Sequence, residues 1–172
     1  MASLIEKLMD TLEQECGEYE TLLGISRKKT PVIVAGNLDE LATITDEEQV
    51  VVNRISHIDQ TRYGIMQEIA NVLNTDVKNL KLDMLIRALE KRPVERQKLA
   101  EVSDRLGNAV HLVRSVNLQN QELINSALEM VNFEMNMIQA MRKAPETANY
   151  NKGAYNTGDV IGTEAGSFDA KQ

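Results

Sequence analysis

LAEVSDRLGNAVHLVRSVNLQNQELINSALEMVNFEMNMIQAM, residues 99–141, is the stretch that decides the fold. Leu99, Val102, Leu106, Ala109, Val113, Val116, Asn120, Leu123, Ala127, Met130, Glu134, Met137 and Met141 succeed one another at alternating steps of three and four. Eleven of these thirteen positions are apolar, so the stretch carries a heptad-type seam along one side of an α-helix. Counted from Pro93, whose missing N–H costs nothing at a first helical position, the helix has roughly 50 residues and a length of about 75 Å. Shorter helices before it cannot cover such a length. Part of its apolar face is therefore expected to remain open to a partner.

Upstream the pattern stays helical. Ser3-Leu4-Ile5-Glu6 reads as a capping box, and Ile5, Leu8, Leu12, Tyr19 and Leu22 continue one face, with Glu15 as its polar interruption. Pro31 disfavours helical geometry at Thr30, so the first helix should weaken there. Val32-Ile33-Val34 then reads as a last turn or a packed connection. Gly36-Asn37 breaks the chain, and Asn37 with Glu40 caps a second helix whose apolar positions run from Leu38 to Leu73. Asn74-Thr75-Asp76 is a turn before a short helical stretch containing Val77, Leu80, Leu82, Leu85, Ile86 and Leu89. The fold class is all-α: an elongated antiparallel helical bundle with a coiled-coil-like long C-terminal helix. Residues 1–142 make the bundle domain. Residues 143–172 hold four of the nine glycines and no Leu or Met, and read as a flexible, disordered tail.

Composition narrows the function. At 172 residues the chain suits one domain, and its six aromatics and lack of Trp make the core aliphatic. A net charge of −7 argues against a nucleic-acid surface. It also disfavours a membrane-surface helix, which carries Lys and Arg on its polar face. No apolar run approaches the length of a membrane span and no apolar signal core opens the chain, so the expected setting is cytoplasmic, with no stable membrane insertion. One cysteine, Cys16, leaves no disulfide framework or multi-thiolate metal site. His57 and His111 have no metal-pair spacing, and there is no phosphate loop, nucleophile elbow or His-Glu-x-x-His. The reading is a protein that is not an enzyme, with no metal and no cofactor. The acidic clusters Glu13-Glu15-Glu18-Glu20 and Asp46-Glu47-Glu48 read as solvated helix faces.

Two features point to partners. Met130, Met135, Met137 and Met141 crowd the end of the long helix among Leu128, Val131, Phe133 and Ile138. They fit either core filling or a plastic surface that accepts helices of another protein. Among Asn117, Asn120 and Asn125, one buried Asn would fix register in a helical assembly. Tyr150, Tyr155 and Phe168 stand in the Gly- and Asn-containing tail, as random content or as a short motif that orders on a partner.

Leu22-Leu23, Lys28-Lys29, Val34-Ala35-Gly36-Asn37-Leu38-Asp39-Glu40-Leu41, Glu47-Glu48-Gln49 and Arg54-Ile55 resemble the FlgN family of flagellar export chaperones. So do Val116 to Leu128 in the long helix and the ending Ser167-Phe168-Asp169-Ala170-Lys171-Gln172. The resemblance implies a cytosolic helical-bundle chaperone without ATPase activity. It would bind the C-terminal helical regions of the hook–filament junction proteins FlgK and FlgL and deliver them to the flagellar type III export apparatus. The partner-binding residues it implies here are Asn120, Leu123, Ile124, Leu128, Val131 and Met135, extended along the Met-rich stretch to Met137 and Ile138. Tyr150 and Tyr155 would dock at the export gate. The same seam also fits a generic coiled-coil adaptor or homo-oligomer that buries it in a homodimer.

Overall fold

The computed structural model describes residues 2–143. Four helices follow in chain order: α1 (Ala2–Ala35), α2 (Leu38–Val72), α3 (Leu82–Ala88) and α4 (Pro93–Lys143), with a 3₁₀ turn at Val77–Asn79. No strand occurs among the described residues, and the all-α class read from the seam holds. The chain forms two compact units, Met1–Met130 and Val131–Gln172, the second described only over residues 131–143 of α4. The expected tail lies outside the described residues, apart from its first residue, Lys143, which still belongs to α4.

In the first unit α1 and α2 form an antiparallel hairpin. Its turn follows from two local devices. Gly36 adopts φ +66, a left-handed conformation that glycine enters without steric cost. Its N–H then donates to Ile33 O at 3.1 Å and that of Asn37 to Val32 O at 3.2 Å, the paired bonds of a Schellman C-cap. Asn37 immediately caps α2: its side-chain oxygen accepts from Glu40 N at 3.2 Å while its amide nitrogen donates to Glu40 Oε2 at 3.0 Å. The cap read from Asn37 and Glu40 is present.

Two expectations at the ends of α1 need correction. Ser3 already lies inside α1, one residue past its start, so it is not the capping residue. Pro31 does not interrupt the helix, which runs through it to Ala35. A mid-helix proline costs about 3 kcal/mol, and burying Val32 and Ile33 just beyond it returns about 1.5–3 kcal/mol each. The tertiary burial wins. Pro93 sits where expected, at the first position of α4.

Two aliphatic cores occupy opposite ends of this unit. Ile5, Leu8 and Leu12 of α1 pack with Ile69 of α2, Leu85 of α3 and Leu99, Val102 and Leu106 of α4. Toward the hairpin turn, Leu22, Ile25 and Val32 pack with Ile44, Val51 and Ile55 of α2 and Val113 of α4. α4 runs parallel to α1, because Arg105 meets Cys16 and Glu20 whereas Asn120 meets Ser26 and Thr30. The first unit is thus an up–down–up bundle in which α2 is antiparallel to both neighbours.

The second unit, as far as it is described, is the helical stretch 131–143, and every residue of it is exposed. Arg142 and Lys143 close its last turn, where cations favour the helix C-terminus.

Candidate partner-binding surface

The heptad seam of α4 is filled only in part. Leu99, Val102, Leu106, Ala109 and Val113 are buried, Val116 is half-buried, and Asn120 is the last buried residue of the helix. Past Asn120 the side chains emerge. In the first unit Leu123 and Ile124 are half-buried, Leu128 is 57% exposed, and Met130 is also exposed. In the second unit Val131, Met135, Met137 and Ile138 are exposed, as are Phe133 (67%) and Met141. Val131, Met135 and Ile138 share one helical face through their i, i+4, i+7 spacing, while Phe133, Met137 and Met141 form a second row. Core filling does not describe Met130, Met135, Met137 and Met141, all of which are exposed.

Asn120 parts company with the other residues read as partner-binding. It is 3% exposed, and its polar atoms are used inside the chain. Its Nδ2 donates to Ser26 O at 2.9 Å, and its Oδ1 accepts from Thr30 Oγ1 at 2.6 Å. A side chain this enclosed has no surface to offer a client, so Asn120 is an internal anchor and leaves the proposed surface. Asn117 and Asn125 are exposed. Leu118, 63% exposed and off the seam, joins the apolar set instead. Heptad counting passed over it because it asks only which residues face the seam. Tyr150 and Tyr155, read as export-gate contacts, lie outside the described residues.

Around Asn120 the three long helices share one polar cluster. Ser26 Oγ donates to Glu48 Oε1 at 3.4 Å, and Lys29 Nζ pairs with Glu48 Oε2 at 2.5 Å. α1, α2 and α4 all contribute, so the cluster clamps the bundle just before α4 becomes uncovered. Beside it lies a hollow of about 340 Å³ bordered by Thr45, Gln49, Asn117 and Ile124.

The acidic clusters also read differently in three dimensions. Glu13, Asp46 and Glu47 are solvated, as expected. Glu18, Glu20 and Glu48 instead pair across helices, with Arg54 at 2.9 Å, Arg105 at 3.0 Å and Lys29 respectively. Glu15 is buried at 3% exposure, and its Oε2 lies 3.2 Å from Arg62 Nε without receiving an aligned hydrogen bond. Burial pushes the Glu15 carboxyl above its ordinary range; the Arg62 guanidinium lowers it and the Asp59 charge raises it. Arg62 is shared, because it also pairs with Asp59. These contacts are structural: they fix how α2 and α4 lie against α1.

Other chemistry is sparse. Cys16 is buried, with its Sγ 3.1 Å from Arg105 Nε and 3.6 Å from Glu20 Oε1, and burial pushes its thiol up. His57 and His111 are exposed. Among the described residues no group of three His, Cys, Asp or Glu side chains converges on a metal-sized site. No described helix is long and apolar enough to cross a membrane. What the later part of α4 offers is an exposed, conformationally soft apolar surface of the kind that suits helix packing.

No match emerges among curated proteins or among solved structures. The model of one family, described as FlgN protein, matches residues 1–157. With that match covering most of a chain whose described residues form helices and no strand, the chain belongs to the FlgN family of flagellar export chaperones.

Proposed function

We propose that this chain is a cytoplasmic export chaperone whose clients are the hook–filament junction proteins FlgK and FlgL. It binds their C-terminal helical segments through the uncovered end of α4. The observation that carries the reading is the run of exposed Leu128, Val131, Met135, Met137 and Ile138 on α4, with Leu123 and Ile124 half-buried at its start. Contiguous apolar surface of this kind marks interaction sites on soluble proteins. Client helices that later assemble present apolar faces of their own while monomeric, and helix-in-groove packing shields both sets from water. The reading has no nucleotide step and no catalysis. Competition at the export gate, with Tyr150 and Tyr155 as the docking residues, releases the client to the type III export apparatus.

The test is calorimetric titration of a FlgK C-terminal helical peptide into the full chain. Val131→Ser with Ile138→Ser should weaken binding at least about tenfold, which is about 1.4 kcal/mol, without lowering the melting temperature. Unchanged affinity would overturn the assignment. Sedimentation of the same proteins separates the competing arrangement. A tight dimer that the two substitutions dissociate, with no peptide bound by either protein, would make the surface a homodimer seam.

A further inference from the structure

The charge of the chain is unevenly placed. Residues 78–98 hold seven Lys and Arg against Asp83, Glu90 and Glu95, a local charge of +4 within a chain of −7. The remaining residues therefore carry −11. All seven cations are exposed. Lys78, Lys81, Arg87, Lys91, Arg96 and Lys98 have no described carboxylate within 4 Å, and Arg92 has only Glu95 Oε1, at 3.8 Å. Large apolar side chains stand exposed among them: Val72, Leu73, Met84 and Val94. These residues span the connection from α2 to α4, at the end of the first unit where Ile69, Leu85 and Leu99 pack. That end is opposite the Gly36-Asn37 turn and the Asn120 clamp.

We infer that this connector end, residues 72–98, is a peripheral docking surface for an anionic lipid bilayer. Uncompensated cations interspersed with exposed apolar side chains are what an interface of anionic headgroups over acyl chains attracts. The acidic remainder of the chain is repelled by the same surface, so the first unit would stand with its connector against lipid and Leu118 to Met130 held away in solvent. The part of the client surface that belongs to the first unit, Leu118 to Met130, and the membrane contact would then lie at opposite ends of that unit. Contact is by adsorption: α3 has seven residues, and no described helix can span the membrane. Single-stranded nucleic acid is the other polyanion to weigh, but its grooves add aromatic stacking platforms, and residues 72–98 contain no Phe, Tyr or Trp.

Co-sedimentation of the full chain with vesicles tests the inference. Vesicles containing phosphatidylglycerol should retain the protein at low salt, those of phosphatidylcholine alone should not, and retention should fall as salt screens the charges. Each cation removed is expected to cost about fivefold, so Lys78→Gln, Lys81→Gln, Arg87→Gln and Lys91→Gln together should weaken partitioning at least about 100-fold. Met84→Ser with Val94→Ser, which leaves the charge intact, should weaken it too. Removing Arg27, Lys28 and Arg114, exposed cations elsewhere in the first unit, should have a much smaller effect. No retention on the anionic vesicles overturns the inference. So does an equal loss on removing the remote cations, or tighter binding to a single-stranded RNA than to the vesicles at the same salt.

Discussion

Asn120 holds α4 against α1, and truncating it measures how much of that contact depends on polar geometry. Asn120→Ala removes the 2.9 Å bond to Ser26 O and the 2.6 Å bond from Thr30 Oγ1. Each bond contributes about 0.5–1.5 kcal/mol net, so the pair is worth about 1–3 kcal/mol. Ser26 O keeps its place in the α1 hydrogen-bond ladder, and Thr30 Oγ1 keeps a longer 3.4 Å contact to it, which holds the expected loss near the middle of that range. At a typical urea dependence of about 2 kcal/mol per molar, a loss of about 2 kcal/mol moves the unfolding midpoint down by about 1 M. Urea titration followed by far-UV circular dichroism reads this directly. The decisive comparison is a double-mutant cycle with Thr30→Val, because the reasoning requires the two side chains to be coupled. Asn120→Leu alone leaves the Thr30 hydroxyl with only its longer contact to Ser26 O and should destabilise, and adding Thr30→Val should recover part of the loss. A coupling energy below about 0.5 kcal/mol, the level expected of independent sites, would refute the clamp.

Two further outcomes follow from the bundle itself. Leu12→Ala, at a fully buried position of the first core, should cost about 2–5 kcal/mol and lower the melting temperature by several degrees, as read by calorimetry. Glu15→Gln should change the pH dependence of stability in a defined direction. Burial raises the folded-state pKa of Glu15 above 4.5, so in the window just above 4.5 the folded state holds more protons than the unfolded one. Stability contributed by this group therefore falls as pH rises through that window. The Gln variant lacks the term, so its stability relative to the unsubstituted protein should increase with pH across the window. Urea midpoints collected over that range check the sign, and a decreasing difference would contradict it.

The elements legible in the sequence are those whose causes are local. Asn37 and Glu40 form their cap because they stand three positions apart. Pro93 opens α4 because its fixed φ and missing N–H suit only that end of a helix. The unbroken spacing from Leu99 made α4 visible for the same reason. Elements governed by distant partners were not legible. Pro31 reads locally as a weak point of the first helix, yet the burial of Val32 and Ile33 carries α1 through it. The acidic residues of α1 read as solvated because Arg54 lies 36 positions from Glu18 and Arg105 lies 85 from Glu20. The enclosure of Asn120 was not legible because its partners, Ser26 and Thr30, lie at least 90 residues away. A net charge averaged over the chain likewise concealed the cationic connector.

The two-residue connection between α1 and α2 also has a kinetic meaning. Closing so short a loop costs little chain entropy, so the hairpin can order before α4 arrives. During synthesis α1 and α2 leave the ribosome first, with the Ser26 and Thr30 polar groups still hydrated. Asn120 follows only after some 90 further residues. The last event is then the docking of α4 onto a finished hairpin. The polar clamp becomes a proofreading contact, since a helix that docks out of register leaves the Asn120 amide dry and unbonded.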